Sequence, residues 1–191
     1  MNSRSVESSQ SVGTLGMRLL IVSLTMLFGA SLAAYLLVRH QHQPWPPAGF
    51  PALPRSLWLS TLIILLVSVT IQGALGAARR GETALLKRDL TLSLLLALGF
   101  LAAQWYAWIQ VYQQIDAIGA GMAQYAKLFY FLTGLHAAHV LGGLGPLAVV
   151  TGRAYAGRYG PACHAGVRYS AMYWHFLDAA WCVVFIAVYL V

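Results

Sequence analysis

Four ionisable side chains sit where the sequence is otherwise apolar. His136 and His139 stand three residues apart in TGLHAAHVLGG, and His175 and Asp178 are spaced likewise in MYWHFLDAAW. On a helix that spacing places each pair on one face. Three histidines and one carboxylate make a plausible ligand set for iron, zinc or copper. They also suit a simpler role. A buried carboxylate needs a donor, and Asp178 could accept a hydrogen bond from His175 or from a histidine on a neighbouring helix, so that the four form an interhelical polar clamp. The spacing matches neither HExxH nor another metal-binding signature, and no nucleophile lies close by in sequence, so the clamp is the preferred expectation. No catalytic, cofactor-binding or metal-ligating residue is assigned.

The elements that carry these residues follow from composition. The chain has 191 residues, 59% hydrophobic and 9% charged, whereas soluble domains spend about a quarter of their residues on charge. Lipid is therefore the expected solvent. Apolar runs cover about residues 17–38, 57–78, 90–112, 128–150 and 169–191. Each is long enough to cross a hydrocarbon core of about 30 Å as a helix. Helix is required because lipid offers no partner to an open backbone amide. The predicted class is all-α: a polytopic membrane protein with a bundle of five transmembrane helices. Residues 1–16, polar and serine-rich, are predicted to form a disordered cytoplasmic tail, with the membrane domain over 17–191.

Charge sets the expected orientation. With the N-terminus inside, the inner side holds Arg4, Arg18, Arg79, Arg80, Lys87, Arg88, Arg153, Arg158 and Arg168. The outer side holds Arg39, Arg55 and Lys127, a count of nine against three that satisfies the positive-inside rule and places the C-terminus outside. The net charge of +7 forms no basic face and so does not suggest nucleic acid. The loop RHQHQPWPPAGFPALPR, residues 39–55, is proline-rich and predicts a rigid outer cap. Cys163 and Cys182 lack the spacing of a metal or disulfide motif. Gly134, Gly142, Gly143 and Gly145 allow a close helix neighbour beside the two histidines, and Pro146 predicts a kink. Trp58 and Trp105, the latter in QWYAWIQVY, read as interfacial aromatic-belt residues or as lipid contacts. Arg153, at the inner end of the fourth run, is either a positive-inside residue or a ligand for a lipid phosphate.

Several stretches together resemble a known family. YFLTGLHAAHVLGGL and YWHFLDAAW are similar to the two signature stretches of subunit III of the haem–copper respiratory oxidases. WPPAGFPALP resembles its proline-rich segment, and GMRLLIVSLTMLFGASLAAYLLVR the helix before that segment. The matches occur in the family's order and cover the chain after residue 15, and five spans resemble the short bacterial form. The resemblance implies a subunit of the bacterial inner membrane without redox centres of its own. It would stand beside catalytic subunit I and subunit II of a terminal oxidase, which hold haem and copper, reduce oxygen to water and pump protons. It also implies bound phospholipids, with Arg153 in the place of a phosphate-binding arginine. A nitric oxide reductase accessory protein is the alternative, and a stand-alone membrane metalloenzyme a more distant one. The three histidines in these spans are too few for a haem–copper centre with a second haem, and there is no thiolate pair for a dinuclear copper site. The sequence departs from the family pattern at Leu24, Ala107 and Arg168, where the family often carries acids. That casts doubt on proton collection through those positions.

Overall fold

The computed structural model describes residues 3–42, 53–117 and 124–190, with side chains described between residues 11 and 189 of these segments. Helices α1 (Ser3–Gln41), α2 (Ser56–Arg80), α3 (Thr83–Ala117), α4 (Gln124–Tyr155) and α5 (Ala165–Phe185) follow one another, and a π-helical turn, Ile186–Leu190, ends the chain. All five helices contain a window long and apolar enough to span a bilayer. Helix α1 begins at Ser3 and so continues through the segment expected to be a tail. Thr14, inside that segment, already accepts a hydrogen bond of 2.9 Å from Arg168 of α5. Of the proline-rich cap expected over 39–55, residues 43–52 lie outside the described residues, and residues 39–41 belong to the end of α1.

Short connections make antiparallel neighbours. Between α2 and α3 the chain reverses at Gly81, whose φ of 76° is a left-handed conformation that glycine adopts at little cost. The Gly81 and Glu82 amides bond back to the carbonyls of Ala78 and Ala77, closing the end of α2. Glu82 then pairs with Arg80 at 2.8 Å, and this hydrogen bond lowers its pKa below the usual carboxylate range. Helices α2 and α3 form the most extensive pair, α5 packs on both α2 and α4, and α1 leans on α5 with slight contact to α4. Helix α4 continues through Pro146.

The core is aromatic where α3, α4 and α5 meet. Trp174, Leu177, Asp178 and Trp181 fall at three- and four-residue intervals and make the buried face of α5. Phe100, His136 and Trp181 enclose one another, with ring centroids 4.9–5.5 Å apart. The Trp181 indole N–H donates to the Thr61 hydroxyl of α2 at 3.0 Å, which satisfies its donor away from water. Gly143 brings α4 close to α5, since a Cβ there would meet Tyr173 Cε1 at 2.7 Å.

Candidate functional site

The four polar residues singled out by spacing do not converge. His175 is half-buried and links α5 to α2. Its Nε2 lies 3.1 Å from Gln72 Oε1, an acceptor, so Nε2 carries the proton and Nδ1 accepts from the Ser68 hydroxyl at 2.6 Å. His139 donates from Nδ1 to the Leu135 carbonyl of its own helix, 2.7 Å away. The α4–α5 link at this point runs through its backbone, where the His139 carbonyl accepts from the Tyr173 hydroxyl at 2.9 Å. His136, fully buried, has both ring nitrogens without a hydrogen-bond partner and packs among Phe28, Phe100 and Trp181. Asp178, 4% exposed, also has neither oxygen bonded. The hydrogen bond expected between Asp178 and a histidine is not made. Ser68 lies near the carboxyl, but its hydroxyl is engaged by His175. Among the described residues no three His, Cys, Asp or Glu side chains gather as a metal would require.

The cross-links between helices come largely from residues that helical periodicity alone does not flag. They include Thr61 to Trp181, Thr133 to Trp108, Thr70 to Ser93 and Ser56 to Gln110. Hydroxyls are mildly polar, fit lipid-facing and buried positions alike, and so carry no signal in a hydropathy pattern. Asp89 is another residue that its place in the sequence does not flag. It sits at a basic turn, yet it is 8% exposed, pairs with Arg88 and presses on Gly73.

A groove of about 540 Å³ runs between α1, α4 and α5. Its walls are Met17, Leu20 and Leu24 from α1 and Tyr169, Tyr173 and Trp174 from α5. Along α4 it passes from His139 over Gly142, Gly143 and Pro146 to Arg153 in the last helical turn. Fourteen residues of helix are about 21 Å, so the groove is at least as long as one leaflet is deep. Small side chains keep its floor open, and one cation, Arg153, marks one end. The groove is thus apolar along most of its length and positive at one end. Trp58 and Trp105 lie outside it. Trp58 packs on Phe185 and Tyr189 and is 49% exposed; Trp105 stands against Trp108 and is 63% exposed.

The family model described as cytochrome c oxidase subunit III matches residues 5–191. A cytochrome c oxidase subunit 3 from Synechocystis sp. is 32% identical over 177 residues, covering 92% of this chain and 74% of its own length. One from Thermostichus vulcanus is 30% identical over 179 residues, covering 92% of this chain and 86% of its own. One from Corynebacterium diphtheriae is 34% identical over 131 residues, 69% of this chain and 63% of its own length.

Proposed function

The chain belongs to the cytochrome c oxidase subunit III family, and from that premise we propose that it is a scaffold subunit of a bacterial terminal oxidase that keeps a phospholipid in the groove between α1, α4 and α5. Haem and copper reside in the partner subunits I and II, and oxygen reduction with its coupled proton movement takes place there. This chain contributes packing surface and a lipid. Its inner turns carry the arginines, which favours a cytoplasmic N-terminus.

The observation that carries this reading is the groove itself, with Arg153 at one end and apolar walls along the rest. A lipid held there would fill the space that the slight α1–α4 contact leaves open. Its phosphate would take the Arg153 guanidinium as a charge-assisted, bidentate partner. The chain's own polar residues then have a structural part. His175 joins α5 to α2, Tyr173 joins α5 to α4, and each fixes a wall of the groove or the bundle behind it.

The test is to purify the chain with its partners in mild detergent and weigh it by native mass spectrometry. The expected result is co-elution with haem-bearing subunits and one retained phospholipid that Arg153→Ala releases. Unchanged lipid retention in Arg153→Ala would count against the groove. Co-elution with a nitric oxide reductase would reassign the partner and leave the lipid reading intact.

A further inference from the structure

Two side chains inside the bundle have hydrogen-bonding capacity that no described residue meets. Gln104 of α3 is 1% exposed, and neither the oxygen nor the nitrogen of its carboxamide has a partner among the described residues. His136 of α4 is 0% exposed, and the same holds for both of its ring nitrogens. An amide or imidazole sealed away without a partner is costly. Lipid beyond the helices can supply none.

The register of α3 and α4 brings the two together. The helices run antiparallel: the hydroxyls of Thr91 and Tyr155 meet at 3.2 Å, and the Trp108 indole N–H donates to Thr133 at 3.0 Å. Between these ties Gln104 falls within about two residues of the level of His136, or about 3 Å along the axis. Its direction agrees. Phe100 and Trp108 stand one turn before and one turn after Gln104, and both reach α4. Phe100 lies 5.5 Å from the His136 ring, and Trp108 bonds to Thr133. Residues one turn apart share a face, so Gln104 faces α4 as well. The two side chains are nonetheless not bonded to each other.

The hydroxyls nearby are already engaged. Thr133 donates to the Phe129 carbonyl and accepts from Trp108. Thr61 donates to the Leu57 carbonyl and accepts from Trp181. Tyr130 donates to the Trp108 carbonyl. Asp178 lies a turn along α5 from Trp181, beside Ser68 of α2, and makes no bond to His136. The rings of Phe100 and Trp181 pack against His136, so an ion would have to shed its hydration among aromatic walls. A neutral guest avoids that cost. A neutral imidazole offers one donor and one acceptor, and a carboxamide offers two donors and one acceptor. A small molecule that both donates and accepts can bridge them, and a buried water typically makes about three such bonds. We propose that Gln104 and His136 hold a water molecule between them, a buried bridge that links α3 to α4 inside the bundle.

The full-length chain, isotope-labelled in histidine, glutamine and tryptophan, is reconstituted in liposomes for solid-state NMR. Magnetisation is passed from water protons to the carbon-bound protons of each side chain. These do not exchange with solvent, so transfer reports a water close by. In wild-type chain both His136 and Gln104 should receive it. Gln104→Leu should abolish transfer to His136, and His136→Phe should abolish transfer to Gln104. The Trp108 indole signal, set by its bond to Thr133, should stay in place in both variants and so shows that α3 and α4 remain paired. Absence of transfer to both side chains in wild-type chain would overturn the proposal, whatever the variants do. Transfer to His136 that survives Gln104→Leu, with the indole signal unmoved, would overturn it as well. So would a direct coupling between the Gln104 carboxamide and a His136 ring nitrogen, because the two side chains would then bond without a bridge.

Discussion

His175 and Asp178 share a spacing and a helix but not an environment. His175 has a partner on each ring nitrogen, both on α2, whereas Asp178 is buried without a bond to either oxygen. The sequence makes the two visible because any ionisable group stands out in an apolar run. It does not show which hydroxyls face them, because Ser68 is silent in a hydropathy pattern. The expected Asp178–histidine bond fails for that reason: Ser68 and Gln72 take His175 first. The difference has an energetic consequence. His175→Ala removes two interhelical hydrogen bonds, each worth about 0.6 kcal/mol on average in a bilayer. It should therefore lower the stability of the chain by about 1–2 kcal/mol in a detergent unfolding titration. Asp178→Asn keeps the shape and removes no bond, so its midpoint should stay within about 1 kcal/mol of wild type. A loss for Asp178→Asn equal to that of His175→Ala would mean that the carboxyl has a partner.

Helices rather than single residues were the easier part of the sequence. Five apolar runs predict five helices because lipid leaves the backbone no other arrangement. Their ends were harder, since hydropathy falls at the first charge while the hydrogen-bond ladder continues. Helix α3 runs from Thr83 to Ala117, beyond the run expected at about 90–112, and α1 starts far ahead of its apolar run. Helix pairing depends on where small residues let backbones approach. Four glycines flank the histidines of α4, but only a three-dimensional arrangement shows which of them matters. Gly145 has open space where a Cβ would stand, while Gly143 meets the Tyr173 ring. Gly143→Ala should displace that ring and weaken its hydroxyl bond to the His139 carbonyl, costing about 1–3 kcal/mol as overpacking does. Gly145→Ala should be nearly neutral. Thermal melting of the two variants side by side checks the ordering, and equal melting points would refute it.

At the scale of the whole molecule, the fold class was legible from composition because so few charges cannot clothe a water-facing surface. The concavities were not, since they arise where helices fail to touch. Helix α1 shows why. It is tied to α5 near one end by Thr14 and Arg168 and near the other by Tyr35, whose hydroxyl donates to the Ala187 carbonyl at 3.2 Å. Between these ties stand Phe28, against His139 and Phe176, and two apolar hollows of about 540 and 250 Å³. Much of the remaining α1 surface is exposed leucine, valine and methionine. A helix fastened mainly at its ends and flanked by hollows gains little from dispersion unless something fills them. Lipid is the available filler, so α1 should be the least stable element once lipid is removed. Hydrogen exchange of the chain in mild detergent, before and after stripping of bound lipid, measures this directly. Amides of residues 19–38 should lose about tenfold in protection, equivalent to about 1.4 kcal/mol, while those of the α2–α3 pair change little. Returning phospholipid should restore the difference. A uniform loss across all five helices would mean that lipid supports the bundle generally and that α1 holds its place through the two end ties alone.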